Sequence, residues 1–188
     1  MELLDIVDEN GTPTGQTIGR EEAHRLGIRH RTSHVWLARK HDGKIQVLLQ
    51  KRSRNKDSYP GCYDISSAGH IPAGQGFVES ALRELREELG IEAKAEELIC
   101  CGRRRFEFRD VFHGREFRDA QVSNVYLLWH DMEASRFRIQ KSELESVMWM
   151  DLDQCFEMVR TANLPNCIYI EELEMIASRL RGTEKSPA

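Results

Sequence analysis

Glu84, Glu87 and Glu88 follow Arg83 in the run "RELREELGI", Arg83 to Ile91. Steps of three and four residues put all three carboxylates on one side of a helix, turned away from Leu82, Leu85 and Leu89. Like charges at that spacing repel by roughly 0.2–0.5 kcal/mol per pair. Two arrangements relieve the repulsion. Glu79–Arg83 and Arg83–Glu87 pairs at four-residue spacing make a solvated charged face. Alternatively, the carboxylates grip a hard cation such as Mg2+, which takes carboxylate oxygens, keeps several waters and bridges protein to phosphate.

The flanking residues favour the cation. Gly69, then Gln75, then Arg83-Glu84-Leu85-Arg86-Glu87-Glu88-Leu89-Gly90-Ile91 resembles the Nudix hydrolase signature G-x5-E-x7-R-E-U-x-E-E-x-G-U, where U is apolar. One defined position departs: Gln75 stands where the family has glutamate. The resemblance implies a phosphohydrolase acting on a small-molecule diphosphate with Mg2+ or Mn2+. It implies Glu84, Glu87 and Glu88 as ligands, the Gly69 carbonyl as a further one, and Arg83 orienting the glutamates. Gln75 is expected to hydrogen-bond nearby, to Arg83, while weakening the electrostatic hold on its loop. The general base varies in the family between a glutamate of this helix and one from a distant loop. Glu143 is the remote candidate here, with Glu145 second.

Beyond that motif, "DENGTPTG", "AHRLGIRH", "QKRSRNKDSYPGCYD" and Gly69-His70 resemble the branch holding isopentenyl-diphosphate isomerases and related hydrolases. In those isomerases the histidines equivalent to His24, His30 and His70 help bind a metal, a cysteine precedes the Gly-His pair, and a glutamate lies on a later strand. This sequence has Ala68 at the cysteine, and Asp119 and Gln121 where the acids fall. Alanine has no proton to give and an amide is a poor acid or base, so isomerisation is disfavoured. Neutral imidazole is a good transition-metal ligand, so these histidines can form a second metal site; the favoured alternative is His24 on a helix surface, His30 packed near a strand end and His70 lining the metal loop.

Lys51, Arg52, Arg54 and Lys56 surround the loop before Pro60. Guanidinium pairs well with phosphate, which makes Arg52 the first substrate-binding choice and Lys51 the next. Phe106, Phe108 and Phe112 alternate as core residues of a strand would.

These groups need a scaffold. Val78, Ala81, Leu82, Leu85 and Leu89 recur on one helical stripe that ends at Gly90, a left-handed C-cap. Asn10-Gly11, Asp42-Gly43 and His113-Gly114 mark turns between strand-like runs, and Tyr63 to Ser66 reads as one short strand. Further strands fit "VSNVYLLWH" and "ESVMWM". Asp151 is a candidate N-cap for a helix over Leu152 to Thr161, and "IYIEELEMIASRL" supplies another amphipathic pattern. The order predicts an α/β (α+β) fold, a mixed sheet in an α/β/α sandwich with the glutamate helix packed on it. Residues 1–181 are expected to form a single domain and 182–188 a disordered tail.

With 188 residues, 31% charged, and a net charge of −4, the chain lacks the basic excess of a nucleic-acid-polymer binder. No apolar run approaches the roughly 20 residues of a membrane span. The acidic start and five cysteines without C-x-x-C spacing point to the cytoplasm and reduced thiols. Many relatives pair, so a homodimer is an option. A rival class is a diphosphate-binding module without turnover, which Gln75 motivates and the retained glutamates oppose.

Overall fold

Between Val35 and Ala38 successive side chains enter opposite cores, Val35 and Leu37 on one side, Trp36 and Ala38 on the other. Burial on both faces marks a central strand. The computed structural model describes residues 2–182, so the expected tail lies outside the described residues beyond Gly182.

Chain order is β1 (Leu3–Val7), β2 (Pro13–Gly19), α1 (Arg20–Leu26), β3 (His30–His41), β4 (Lys44–Arg52), β5 (Tyr63–Asp64) and β6 (Ser67–His70). It continues with α2 (Phe77–Leu89), β7 (Ile99–Phe112), β8 (Arg115–Trp129), β9 (Leu144–Asp151), α3 (Leu152–Thr161) and α4 (Ile170–Gly182). One mixed sheet runs β5-β4-β3-β8-β7, with β6 beside β3 and β9 beside β4. β1 and β2 form a separate hairpin. Asp42 and Gly43 at φ 48° and 73°, and His113 and Gly114 at φ 51° and 73°, are left-handed pairs of the kind that match strand twist.

β3 and β8 run parallel, from His30↔Gln121 to Ala38↔Trp129. This pairing sets the site, because it brings residues about ninety apart to one sheet face. α2 covers one face through Ala81, Leu85 and Leu89, all fully buried. Burying each leucine contributes roughly 1.5–3 kcal/mol. α3 and α4 cover the other through Cys155, Phe156, Leu173, Ile176 and Leu180. The predicted sandwich is observed.

Local corrections follow from tertiary context. The strand predicted over Tyr63 to Ser66 is only Tyr63–Asp64, β5 on β4, and a separate strand, β6, begins at Ser67 and pairs with β3. Asp151 stands at the N-cap position of α3 but its side chain does not cap it; the carboxylate accepts from Lys44 Nζ at 2.6 Å and Gln46 Nε2 at 3.0 Å. Phe106, Phe108 and Phe112 belong to neither core. They stand half-buried with Tyr59 and Tyr169, Phe112 lying 4.9 Å from Tyr59 and Phe106 4.5 Å from Tyr169 between ring centroids.

α4 also carries a buried charge. The Glu172 carboxylate accepts from Trp36 Nε1 at 3.0 Å and lies 3.0 Å from His34 Nδ1. Burial alone would depress His34, but the Glu172 charge outweighs it and holds the imidazole pKa above its ordinary value. Burial would likewise raise Glu172, yet His34 keeps that carboxyl below its ordinary value. Among the described residues no helix is long and apolar enough to cross a membrane.

Candidate active site

Packing of Leu85 and Leu89 against the sheet fixes the rotation of α2 and thereby aims its charged residues. Arg83 Nη2 lies 2.7 Å from Glu84 Oε1, its Nη1 donates to Glu87 Oε2 at 3.0 Å, and Nη2 also reaches the His70 carbonyl at 3.2 Å. One guanidinium thus ties two of the three glutamates to the end of β6. Gln75 is not its partner, contrary to expectation. The Gln75 side chain instead accepts from Ser80 Oγ at 3.4 Å.

Glu88 is only 5% exposed, and its carboxylate accepts one hydrogen bond, from Ser67 Oγ at 2.7 Å. Burial pushes its pKa up to about 8 against that hydrogen bond, with the Glu84 charge adding to the shift. Burial also raises Glu84, with Arg83 opposing and Glu87 reinforcing. Glu87 is exposed. A buried carboxylate with acidic neighbours and one hydroxyl partner is short of counter-charge. The chemistry of Glu84 and Glu88 therefore suits a divalent cation, although among the described residues the one group of three ligand atoms within 4.8 Å of one another is that of His24, His30 and His70. Gly69 fits too: a Cβ there would lie 2.1 Å from Glu84 Cδ, so glycine alone lets the β6 backbone approach the carboxylate.

Glu143 hangs at the rim. Its carboxylate pairs with Lys56, and its loop is tied to the end of α2 by Gln140 N–H donating to the Glu88 carbonyl at 3.0 Å. The Lys56 charge lowers both Glu88 and His70, and Arg52, which the sequence favoured, is also coupled to Glu88. Arg52 donates to Asp64 at 2.9 Å and to the Ser58 carbonyl at 2.9 Å. Lys51 and Arg54 both hold Glu145, at 2.9 and 3.2 Å.

The histidines are brought together. His24 is not on the surface: it is buried, and its ring stacks on Phe117 at 4.5 Å. One ring nitrogen from each of His24, His30 and His70 falls within 4.8 Å of the others. Asp119 Oδ1 stands 3.6 Å from His24 Nδ1 and 3.5 Å from His30 Nε2, too long for hydrogen bonds, and all three atoms are buried without a hydrogen-bond partner. Two ligand atoms on one tetrahedral ion at about 2.1 Å stand about 3.4 Å apart. Burial lowers His24 to about 3 and His30 to about 4 and raises Asp119 to about 7. Neutral imidazole is the metal-binding form, so this set could hold a transition ion. Ala68, opposite His34 on β6, places no acid there.

A family profile described as the NUDIX domain matches residues 28–166. The chain is 35% identical over 153 residues to an uncharacterised Nudix hydrolase of Clostridium acetobutylicum, covering 81% of this chain and 71% of that one. It is 37% identical over 157 residues to Nudix hydrolase 3 of Arabidopsis thaliana, covering 81% of this chain but 20% of the plant protein. Among solved structures, a Deinococcus radiodurans protein superposes with a TM-score of 0.67 at 22% identity, covering 92% of this chain and 96% of that one.

Proposed function

The chain belongs to the Nudix hydrolase family, and from that premise we propose that it cleaves a phosphoanhydride bond in a nucleoside diphosphate or triphosphate derivative or a small prenyl diphosphate. The observation that carries the reading is the placement of Glu84 and Glu88: one packed against Gly69, the other buried on a single hydroxyl. Residues 1–181 would act as one catalytic domain.

Glu84, Glu87 and Glu88, with the Gly69 carbonyl, would hold Mg2+ or Mn2+. When bound, such an ion neutralises phosphate charge and acidifies water near neutral pH. The chain's own groups do the rest. Arg83 fixes Glu84 and Glu87 relative to β6, and Ser67 fixes Glu88. Water oxygen forms the new bond to phosphorus, its proton passes to a carboxylate, and the bridging P–O bond breaks with the electron pair leaving on the departing phosphate. Glu143 is the remote candidate for that carboxylate, and Lys56 holds it in place before substrate arrives. Arg52 and Lys51 would meet phosphate oxygens in exchange for Asp64 and Glu145. The half-buried rings of Tyr59, Phe108 and Phe112 suit a flat or apolar group carried by the diphosphate.

The test is phosphate release with Mg2+ or Mn2+ across nucleoside di- and triphosphates, nucleotide sugars, dinucleotides and prenyl diphosphates. Glu87→Gln and Glu88→Gln are each expected to lose at least about 10²-fold in rate on the best substrate. Wild-type turnover in both variants would remove the reading.

A further inference from the structure

The loop that delivers α2 is held from outside the signature. Ala73 N–H donates to the Leu3 carbonyl at 2.8 Å, and Leu4 bridges to Pro72, so the loop lies along β1. From the same strand the Asp5 carboxylate accepts two hydrogen bonds through one oxygen, from Gly74 N–H at 2.9 Å and from Arg31 Nη2 at 2.7 Å. That Arg31 nitrogen also donates to the Gln75 carbonyl at 3.0 Å, and its guanidinium lies 5.3 Å from the Phe77 ring centroid. Asp5 and Arg31 are 9% and 8% exposed. A charged pair so enclosed, fastened to two successive main-chain groups just before a helix, fixes where that helix begins.

Gln75 gives this arrangement its meaning. Its side chain carries no charge and meets Ser80, while its main chain is the part that Arg31 grips. We propose that Asp5, acting through Arg31, is a positioning residue for the hydrolase: the pair supplies from β1 and β3 the anchoring charge that position 75 lacks. The inference rests on the reading of Glu84, Glu87 and Glu88 as the metal site. It adds that the site's affinity for metal depends on a strand far from it in sequence.

The test uses Mn2+ as probe, with free ion counted by electron paramagnetic resonance. Glu88→Gln identifies the site: the Mn2+ equivalent it abolishes is the one followed. If it abolishes none, the metal-site reading fails, independently of Asp5. Asp5→Asn leaves Arg31 buried and unpaired, so it is accompanied by Asp5→Asn/Arg31→Gln, which removes both charges and strands neither. In both, the followed site is expected to weaken at least about 5-fold, and turnover at saturating Mn2+ to fall at least about 10-fold. Gln75→Glu should change the native protein less than about 2-fold but recover at least about 3-fold in the Asp5→Asn background, a coupling that a merely structural role would not produce. A core variant on the opposite face, Ile176→Val, should lower the melting temperature without moving the Mn2+ affinity. Unchanged affinity and turnover in the folded double variant, or no recovery by Gln75→Glu, would overturn the proposal.

Discussion

Gly69→Ala inserts one methyl group between β6 and α2. Gly69 does not use a left-handed backbone, so alanine fits its conformation and the effect is steric. The new Cβ would lie 2.1 Å from both Glu84 Cδ and Oε1 and 2.5 Å from Cγ. Ordinary carbon contacts begin at about 3.5 Å, so the Glu84 carboxyl end must retreat by more than about 1 Å. Its 2.7 Å pairing with Arg83 cannot survive that movement unchanged. The displaced group is the end of a flexible side chain, which keeps the stability cost near the lower end of overpacking, about 1 kcal/mol, or about 2–4 °C in melting temperature. Catalysis is more sensitive: a misplacement of about 1 Å at a reacting centre costs about 10²-fold. The assay is phosphate release as a function of Mg2+ concentration, run beside a thermal melt. The expected result is a folded protein with a rate down about 10²-fold and a raised Mg2+ requirement. A folded Gly69→Ala enzyme with native rate and native Mg2+ dependence would refute the placement of Glu84 at the reacting centre.

His24→Ala or His30→Ala is expected to abolish a tightly held transition ion found by elemental analysis of metal-loaded protein, while Glu88→Gln retains it. Retention in both histidine variants would show that the buried cluster is not a metal site. Lys56→Ala removes the cation that pairs with Glu143, and if Glu143 accepts the proton, Lys56→Ala should lower kcat and Glu143→Gln should lose at least about 10²-fold in phosphate release. Native rates in both variants would assign the base to α2. The His34–Glu172 pair makes stability depend on pH on both sides. His34 is raised above its ordinary value, so its contribution is full below about pH 6.5 and is lost as pH rises through the raised folded value. Glu172 is lowered, so its contribution is present above about pH 4.5 and is lost as pH falls through the lowered folded value. Melting temperature should therefore fall on the alkaline side, and His34→Asn should flatten that limb; equal slopes in both proteins would contradict the pairing.

Local patterns made α2 legible, because apolar periodicity from Val78 to Leu89 and the Gly90 stop both lie within one element. The Asp42-Gly43 and His113-Gly114 turns were legible for the same reason, and so were the bounds of α3. A helix at His24 was expected, but the seven-residue α1 has no apolar stripe long enough to show which face is buried. What stayed hidden depends on the parallel pairing of β3 with β8, which a one-dimensional pattern does not encode. That pairing, with α1 and β6, gathers His24, His30, His70 and Asp119; the family resemblance had pointed to the three histidines as a group, but not to their burial with Asp119. The pairing also explains why His24 lies inside although its helix reads as polar. The role of Asp5 was equally out of reach, but Arg31 left a trace: a cation within a strand buried on both faces requires a buried carboxylate somewhere. Asp151 shows the opposite error, where a local rule named a cap and the side chain went instead to Lys44, distant in sequence; Gln75 was expected to meet Arg83, and its side chain meets Ser80.

The most direct measurement is a crystal soaked with Mn2+ and a methylene-bridged diphosphate, with the ion located by its anomalous scattering. The expected peak lies about 2.1 Å from carboxylate oxygens of Glu84, Glu87 and Glu88 and touches the diphosphate. A peak and a diphosphate bound together away from those three side chains would contradict the account.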